Sequence, residues 1–197
     1  MEALFPYRMM AAAIVLSAMF VSGTYRRRAR RAGGPVSRSA EGGVPAVVLR
    51  VFGSLAWLSM LLYIVHPEWI GWARVSLPDW VRSAGVLLAA VSVPLAWWMF
   101  HSLGLNVTDT VATRRDHELV TRGPYRWIRH PLYSFGGLMF VGLALLSANA
   151  FVAASGAGAL ALLVRRTSNE EAHLAARFGE EYAAYKERTG RFVPRLG

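Results

Sequence analysis

Long apolar blocks, separated by arginine-rich stretches, constrain the fold of this chain more than any other feature of its sequence. A helix that spans a membrane needs about 20 consecutive apolar residues, because each residue adds about 1.5 Å along its axis. The last two blocks are short and flank residues 147–149, which indicates a tight hairpin that crosses or nearly crosses the bilayer. The pattern predicts an all-α integral membrane protein with about five transmembrane helices, the last two forming that hairpin. The blocks cover residues 4–22, 47–65, 81–103, 132–146 and 151–164.

The basic residues fall on alternate loops between these blocks. Lys and Arg number six in residues 24–44, five in 104–130 and seven in 165–197, whereas loops 67–80 and 147–150 hold only Arg74. Because cytoplasmic loops carry the excess of positive charge, the alternation predicts an N-terminus outside and a C-terminus in the cytosol. The short loops and the Ala-, Gly- and Arg-rich composition favour a bacterial plasma membrane.

Composition excludes several classes of protein. Charged residues make up 17% of the chain, against about 25% in soluble domains. The net charge of +10 follows the loops and acts as an orientation signal, so we expect membrane lipids and no nucleic acid as partners. The chain has no cysteine, which excludes disulfides, thiolate metal sites and cysteine nucleophiles, and we predict no metal site.

The stretch HELVTRGPYRWIRHPLY, residues 117–133, is polar, basic and aromatic between two apolar blocks. Gly123-Pro124 breaks any helix through its middle. Pro131 suits the first turn of the next helix, where its missing N–H costs nothing. His130 would then lie at a helix N-terminus, which favours an anion. A basic cytoplasmic loop without further function would show the same residues.

A second polar pattern follows the hairpin. Arg166, Glu170, His173 and Arg177 recur at helical spacing on one face. The hairpin returns the chain to the side it left, so we expect Arg166 and Glu170 to lie close to His130 and Tyr133. Such a group could hold a ligand that carries a carboxylate, an ammonium and an onium centre. The alternative is a solvated face with a weak ion pair.

The C-terminal residues also carry an apolar stripe. Leu174, Phe178, Tyr182 and Tyr185 share a face, which predicts a cytosolic amphipathic helix on the membrane surface or on the core. Gly179 is expected to bend or break that helix.

In order and spacing, these segments resemble the isoprenylcysteine carboxyl methyltransferase family of integral membrane enzymes. The shared pattern is G-x-Y-x-x-x-RHP-x-Y, a hydrophobic hairpin, an Arg four residues before a Glu pair, and FG-x-x-Y-x-x-Y, all within residues 117–194. The resemblance implies a methyltransferase that uses S-adenosyl-L-methionine from a cytosolic pocket and a lipophilic or prenylated substrate from the bilayer. It divides the single membrane domain, 1–197, into three N-terminal transmembrane helices, 1–103, and a cofactor-binding catalytic part, 104–197.

The resemblance also assigns site residues. Arg166 and Glu170 become the catalytic pair, with Arg166 on the substrate. An ionised carboxylate acceptor would need no general base, whereas an amine or hydroxyl would need Glu170 or His173. The implied cofactor-binding residues are His117, Glu118, Leu119, Val120, Tyr125, His130, Pro131, Leu132, Tyr133 and Glu170.

Other functions remain compatible with the sequence. Carboxyl methylation of an isoprenylcysteine-like acid is the favoured activity, and a phospholipid or amine N-methyltransferase is an alternative because that group also uses a Glu pair. A membrane reductase using NADPH is another, since sterol-reductase C-termini share an RHP-x-Y element. A non-catalytic membrane scaffold is the third class of function, beside methyltransferases and reductases.

Overall fold

The structure, a computed structural model, describes residues 5–32, 44–104 and 119–195. Two short 3-10 helices cover Pro67–Ala73 and Gly123–Arg126. Within these ranges there are helices and two isolated bridges but no β-strand, so the prediction of an all-α protein is confirmed. The five α-helices are α1 (Phe5–Ala32), α2 (Val44–Val65), α3 (Asp79–Leu103), α4 (Pro131–Ser147) and α5 (Ala150–Arg188).

The described helices include three that are long and apolar enough to cross a membrane, namely α1, α3 and α5. A fourth results if the C-terminal part of α2 and the 3-10 helix after it count as one span, although they are bent by 115°. Helix α4 has 17 residues and is about 26 Å long, slightly less than a hydrocarbon core of about 30 Å. The structure therefore supports three or four spans, and the fifth stays a prediction.

Two predicted element boundaries differ from the structure. Helix α1 continues through the arginine run to Ala32, so part of the predicted loop 24–44 is helical; arginine is a good helix former. Helix α5 likewise continues from the hairpin through Phe178, because residues 165–178 contain neither Gly nor Pro to end it, and resumes after Gly179 to end at Arg188. The polar residues after the hairpin thus begin as a direct extension of α5, and an amphipathic helix on the membrane surface stays a prediction. Gly179, with φ +51°, interrupts the helix as expected.

Helices α3 and α4 approach each other closely through small residues. A Cβ added at Gly85 would lie 2.5 Å from Leu146 N, and one at Gly142 would lie 2.5 Å from Ala89 N. Small residues at a crossing let two backbones pack directly in a membrane, where apolar contact alone gives little driving force between helices. This crossing fixes α4 against α3.

The α4–α5 hairpin turns within two residues. Ala148 adopts the left-handed conformation (φ 47°), and the Asn149 side chain caps α5 by accepting from Phe151 N and Val152 N at 3.0 and 3.2 Å. Asn149 Nδ2 also donates to Ile70 O at 2.9 Å, which ties the turn to the first 3-10 helix. The hairpin therefore brings the polar half of α5 back to the start of α4.

Two arginines contact helix C-termini at the end of the bundle opposite the start of α4. Arg8 donates to Ile64 O at the end of α2. Arg82, which is only 8% exposed, donates to Leu146 O at the end of α4 and lies over the Tyr7 ring. These contacts satisfy helix C-terminal carbonyls that would otherwise lack partners. Exposed tryptophans surround this end at Trp69, Trp72 and Trp80, as in an interfacial aromatic belt.

Candidate functional site

The candidate site forms where the loop before α4 meets the C-terminal residues 189–195, here called the C-terminal strap. Arg129 N donates to Gly190 O at 2.9 Å, and His130 N donates to Arg191 O at 3.1 Å. Gly190 N donates a hydrogen bond to Trp127 O at 2.9 Å, so the two segments pair in parallel. The pairing positions His130 and Arg191 side by side against α5.

The loop itself is anchored on the end of α3. Gly123 has φ +61°, and a Cβ there would overlap the Ser102 hydroxyl, so the turn requires glycine. Arg122 Nε donates to Ser102 O at 3.0 Å. Pro131 occupies the first turn of α4, as the sequence predicts. This anchoring fixes the position of His130, at the α4 N-terminus, relative to the end of α3.

Glu170 is the point where the predicted residues meet. Its Oε1 accepts a hydrogen bond from Tyr133 Oη at 2.6 Å and lies 3.1 Å from Arg166 Nε. Its Oε2 lies 3.6 Å from His130 Nδ1. The expected proximity of these four side chains is therefore observed, and their binding roles stay predictions.

Glu171 forms a second centre beside the first. Its Oε1 lies 3.1 Å from Arg129 Nε, 3.2 Å from His130 Nε2 and 3.4 Å from Arg191 Nε. No role for Glu171 was predicted from the sequence, although the adjacent Glu pair was a visible signal. Hydrogen bonds from Arg129 and His130 and the nearby charge of Arg191 suit an ionised carboxylate, which only accepts hydrogen bonds.

Burial controls the protonation of the groups around the loop. Burial lowers the pKa of His130 below its ordinary value, and the nearby Arg129 and Arg191 lower it further, while the hydrogen bond with Glu171 acts in the opposite direction. Burial also raises the pKa of the Tyr125 hydroxyl, assisted by the negative Glu170. At neutral pH the site therefore contains a neutral imidazole and a protonated phenol.

The remaining predicted residues are distributed around this cluster. His117 and Glu118 lie outside the described residues, and Leu119 and Val120 are half-buried just before the second 3-10 helix. Leu132 is 43% exposed, on the outer side of α4.

Two further side chains of α5 differ in their relation to the cluster. His173 is exposed, and its Nδ1 pairs with Asn169 O of its own helix at 2.7 Å, so it stays apart from the cluster. Tyr182 is 1% exposed, and its hydroxyl has no hydrogen-bond partner in the described part of the chain. The sequence predicted packing for Tyr182 and gave no sign of this unsatisfied hydroxyl.

The residues that build this arrangement match the model of a known protein family. The profile of the phospholipid methyltransferase family matches residues 80–181, which is more than half of the chain. The chain belongs to this family. The match contains α3, α4 and both glutamates and ends before the C-terminal strap.

The similar proteins confirm the resemblance to isoprenylcysteine methyltransferases. Human protein-S-isoprenylcysteine O-methyltransferase is 30% identical over 142 residues, covering 71% of this chain and 48% of that protein. The cobalt-zinc-cadmium resistance protein CzcN of Cupriavidus metallidurans is 37% identical over 132 residues, covering 66% of this chain and 56% of that protein. The chain spans about half the length of the curated relatives it matches.

A solved structure shares the fold. A eukaryotic intramembrane Ras methyltransferase, isoprenylcysteine carboxyl methyltransferase, superposes with a TM-score of 0.51 at 23% identity, covering 82% of this chain and 55% of the other. This likeness concerns the arrangement of helices. The family match disfavours the reductase alternative.

Proposed function

We propose that this protein is an S-adenosylmethionine-dependent methyltransferase that methylates the carboxylate of a lipophilic, isoprenylcysteine-like acid at the cytosolic face of the membrane. The observation that carries the proposal is Glu170, held by Tyr133 and Arg166 beside His130. Membership of a methyltransferase family and the names of the relatives support the reaction type.

The side chains present fit the proposed cofactor. S-adenosylmethionine carries an ammonium, a carboxylate and a sulfonium. Glu170 suits the ammonium, and the faces of Tyr133 and Tyr125 suit the sulfonium by cation–π attraction. The buried Tyr182 hydroxyl, which has no partner in the described residues, is a further polar group that a ligand could satisfy.

The same proposal assigns the remaining cofactor contacts. His130 and Pro131 would line the cofactor from the α4 N-terminus. The segment from His117 to Val120 and Leu132 complete the set that the family resemblance implies. When bound, the cofactor supplies an electrophilic methyl group.

Arg166 has the position needed to orient an acidic substrate. Methyl transfer is an in-line displacement that depends on alignment and on excluding water. The acceptor carboxylate is ionised at neutral pH and needs no general base. Arg166 lies just after the apolar part of α5, where we expect the membrane boundary, and its ion pair with Glu170 restrains the guanidinium. A carboxylate on a lipid-embedded chain would meet it there.

The class of acceptor is a lipophilic acid. The human relative is named for an S-isoprenylcysteine substrate, whereas CzcN is named for metal resistance. Within the described residues no group of three His, Cys, Asp or Glu side chains could hold a metal ion. The name of the human relative leads us to propose a small lipophilic acid or a prenylated protein end as the acceptor.

A ligand-stabilisation experiment tests the cofactor. The purified protein in detergent should unfold at a higher temperature with S-adenosylhomocysteine and at an unchanged temperature with NADPH. A ligand at 100 times its Kd stabilises by about 2.7 kcal/mol. Stabilisation by NADPH instead would contradict the proposal. Labelled-methyl transfer into a lipid extract, followed by mass identification of the product, then identifies the acceptor.

Substitutions test the catalytic pair. We expect Arg166→Ala and Glu170→Gln each to lower turnover by about 100-fold or more, because alignment of the reactants is lost, while insertion and folding persist. Arg165→Ala and Glu181→Gln are matched controls, since both side chains are exposed on the same helix. Full activity of folded Glu170→Gln would remove this assignment.

A further inference from the structure

We propose that Glu171 is a positioning residue that, with Arg129 and Arg191, holds His130 in one tautomer. In that tautomer the ring proton is on Nε2, and Nδ1 is left as an acceptor for an N–H group of the bound ligand. The identity of the ligand rests on the proposed function, whereas the tautomer does not.

The starting point is an imidazole placed between two carboxylates. His130 is 7% exposed, and its Nε2 lies 3.2 Å from Glu171 Oε1 while its Nδ1 lies 3.6 Å from Glu170 Oε2. A neutral imidazole carries one donor and one acceptor nitrogen. It can therefore donate a proton to only one of the two carboxylates.

Distance favours Glu171 as the acceptor. A separation of 3.2 Å is within hydrogen-bonding range and 3.6 Å is beyond it. Arg129 and Arg191, both close to Glu171 Oε1, keep that carboxylate ionised and unable to donate. Glu170 is engaged through its other oxygen with Tyr133.

The ring cannot easily turn over to exchange its nitrogens. It stacks on Tyr133 with centroids 5.6 Å apart and contacts Phe192 at 5.9 Å. The backbone of His130 is bonded to Arg191 of the C-terminal strap. These two aromatic neighbours and a fixed backbone hold each nitrogen toward its own carboxylate.

The tautomer has a chemical consequence for the ligand. With the proton on Nε2, the Nδ1 lone pair and Glu170 Oε2 are two acceptors 3.6 Å apart. Two such acceptors suit a donor with several N–H bonds, and a primary ammonium has three. The amino-acid end of the proposed cofactor carries this group. In the other tautomer Nδ1–H would point at Glu170 and compete with the ammonium.

Within the part of the chain that the structure describes, the charged groups paired around the ring belong to the two carboxylate centres. Glu170 and Glu171 come from α5, Arg129 from the loop and Arg191 from the strap. Tyr133 comes from α4. Burial favours the neutral ring, because it lowers the pKa of His130. A neutral ring at neutral pH has two possible tautomers, and the surrounding charges select one of them.

Nitrogen NMR of histidine-labelled protein tests the inference directly. His130 is assigned by the resonance lost in His130→Gln. The wild-type ring should carry its proton on Nε2 at neutral pH. In Glu171→Gln the anionic acceptor is gone, and we expect the proton to move to Nδ1 toward Glu170. We also expect the Kd for S-adenosylhomocysteine to rise at least about tenfold, the loss of roughly one hydrogen bond to a charged group.

Controls separate positioning from a general effect on folding. Glu181→Gln, exposed on the same helix, should leave the tautomer and the Kd unchanged. A wild-type ring with its proton on Nδ1, or an unchanged tautomer in Glu171→Gln, would overturn the inference even if the cofactor binds. If Glu171→Gln fails to fold, the wild-type spectrum still decides. A wild-type protein with the Nε2–H ring but no affinity for S-adenosylhomocysteine would overturn the proposed function and the ligand half of the inference.

Discussion

Glu170 and Glu171 are neighbours in sequence, but their side chains contact different elements of the structure. Adjacent residues on an α-helix point about 100° apart. Glu170 therefore faces Tyr133 of α4, while Glu171 faces Arg129 of the loop. Glu170 is the proposed ligand contact, whereas Glu171 contacts the loop and the strap.

Two buried tyrosines allow a matched comparison. Tyr133→Phe removes the 2.6 Å hydrogen bond to Glu170, and hydrogen bonds to charged groups contribute about 1.5–3 kcal/mol. We expect cofactor affinity or turnover to fall by about 10- to 100-fold, measured by calorimetry and methyl transfer.

Tyr182→Phe provides the comparison at a hydroxyl with no partner in the described residues. Removing an unsatisfied buried hydroxyl is close to neutral for folding, or stabilising. A fall in cofactor affinity in Tyr182→Phe would show that the ligand satisfies this hydroxyl. An unchanged affinity in Tyr133→Phe would contradict a ligand-binding role for Glu170.

At the scale of elements, the crossing of α3 and α4 determines where the α4 N-terminus lies. The Gly85 and Gly142 backbones are in direct contact across the crossing. Any side chain there separates the helices and moves His130 and Tyr133 away from α5.

Gly142→Ala tests this crossing. Its Cβ would lie 2.5 Å from Ala89 N and 2.9 Å from Ala89 Cα, and neither backbone atom can move independently. We expect a loss of about 1–3 kcal/mol in the free energy of unfolding and a matching fall in Tm in detergent. Gly136→Ala, on the same helix with nothing within 4 Å, should be neutral or stabilising. Equal Tm values for the two variants would contradict the importance of the crossing.

Element type and half of the site were predictable because they depend on local periodicity. Apolar blocks predicted the helices, and the spacing of Arg166 and Glu170, together with the hairpin, predicted their meeting with His130 and Tyr133. The continuation of α1 and α5 was missed because polar residues with good helix propensity do not mark a helix end. The contacts of Glu171 were missed because Arg191 belongs to the C-terminal strap. The pairing of this strap with residues 127–130 has no periodic signal in the sequence.

At the scale of the whole molecule, the structure has two chemically different ends. One end has the carboxylate pair and the strap. The other has the exposed Trp69, Trp72 and Trp80 and the buried Arg82. Charge distribution predicts that the first end faces the cytosol.

Single cysteines in this cysteine-free chain test the orientation. Ser76→Cys and Ala184→Cys replace exposed residues at opposite ends and change side-chain volume little. A membrane-impermeant maleimide should label Ser76→Cys in intact cells and Ala184→Cys only after permeabilisation. Labelling of Ala184→Cys from outside would reverse the predicted topology.

The pairing of the C-terminal strap with the loop before α4 has a consequence for biosynthesis. Arg191 follows all five described helices in the sequence, so the strap emerges from the ribosome after them. The carboxylate pair can be enclosed only after the strap has emerged. A chain that terminates early, near residue 188, is therefore expected to insert normally and yet remain catalytically immature.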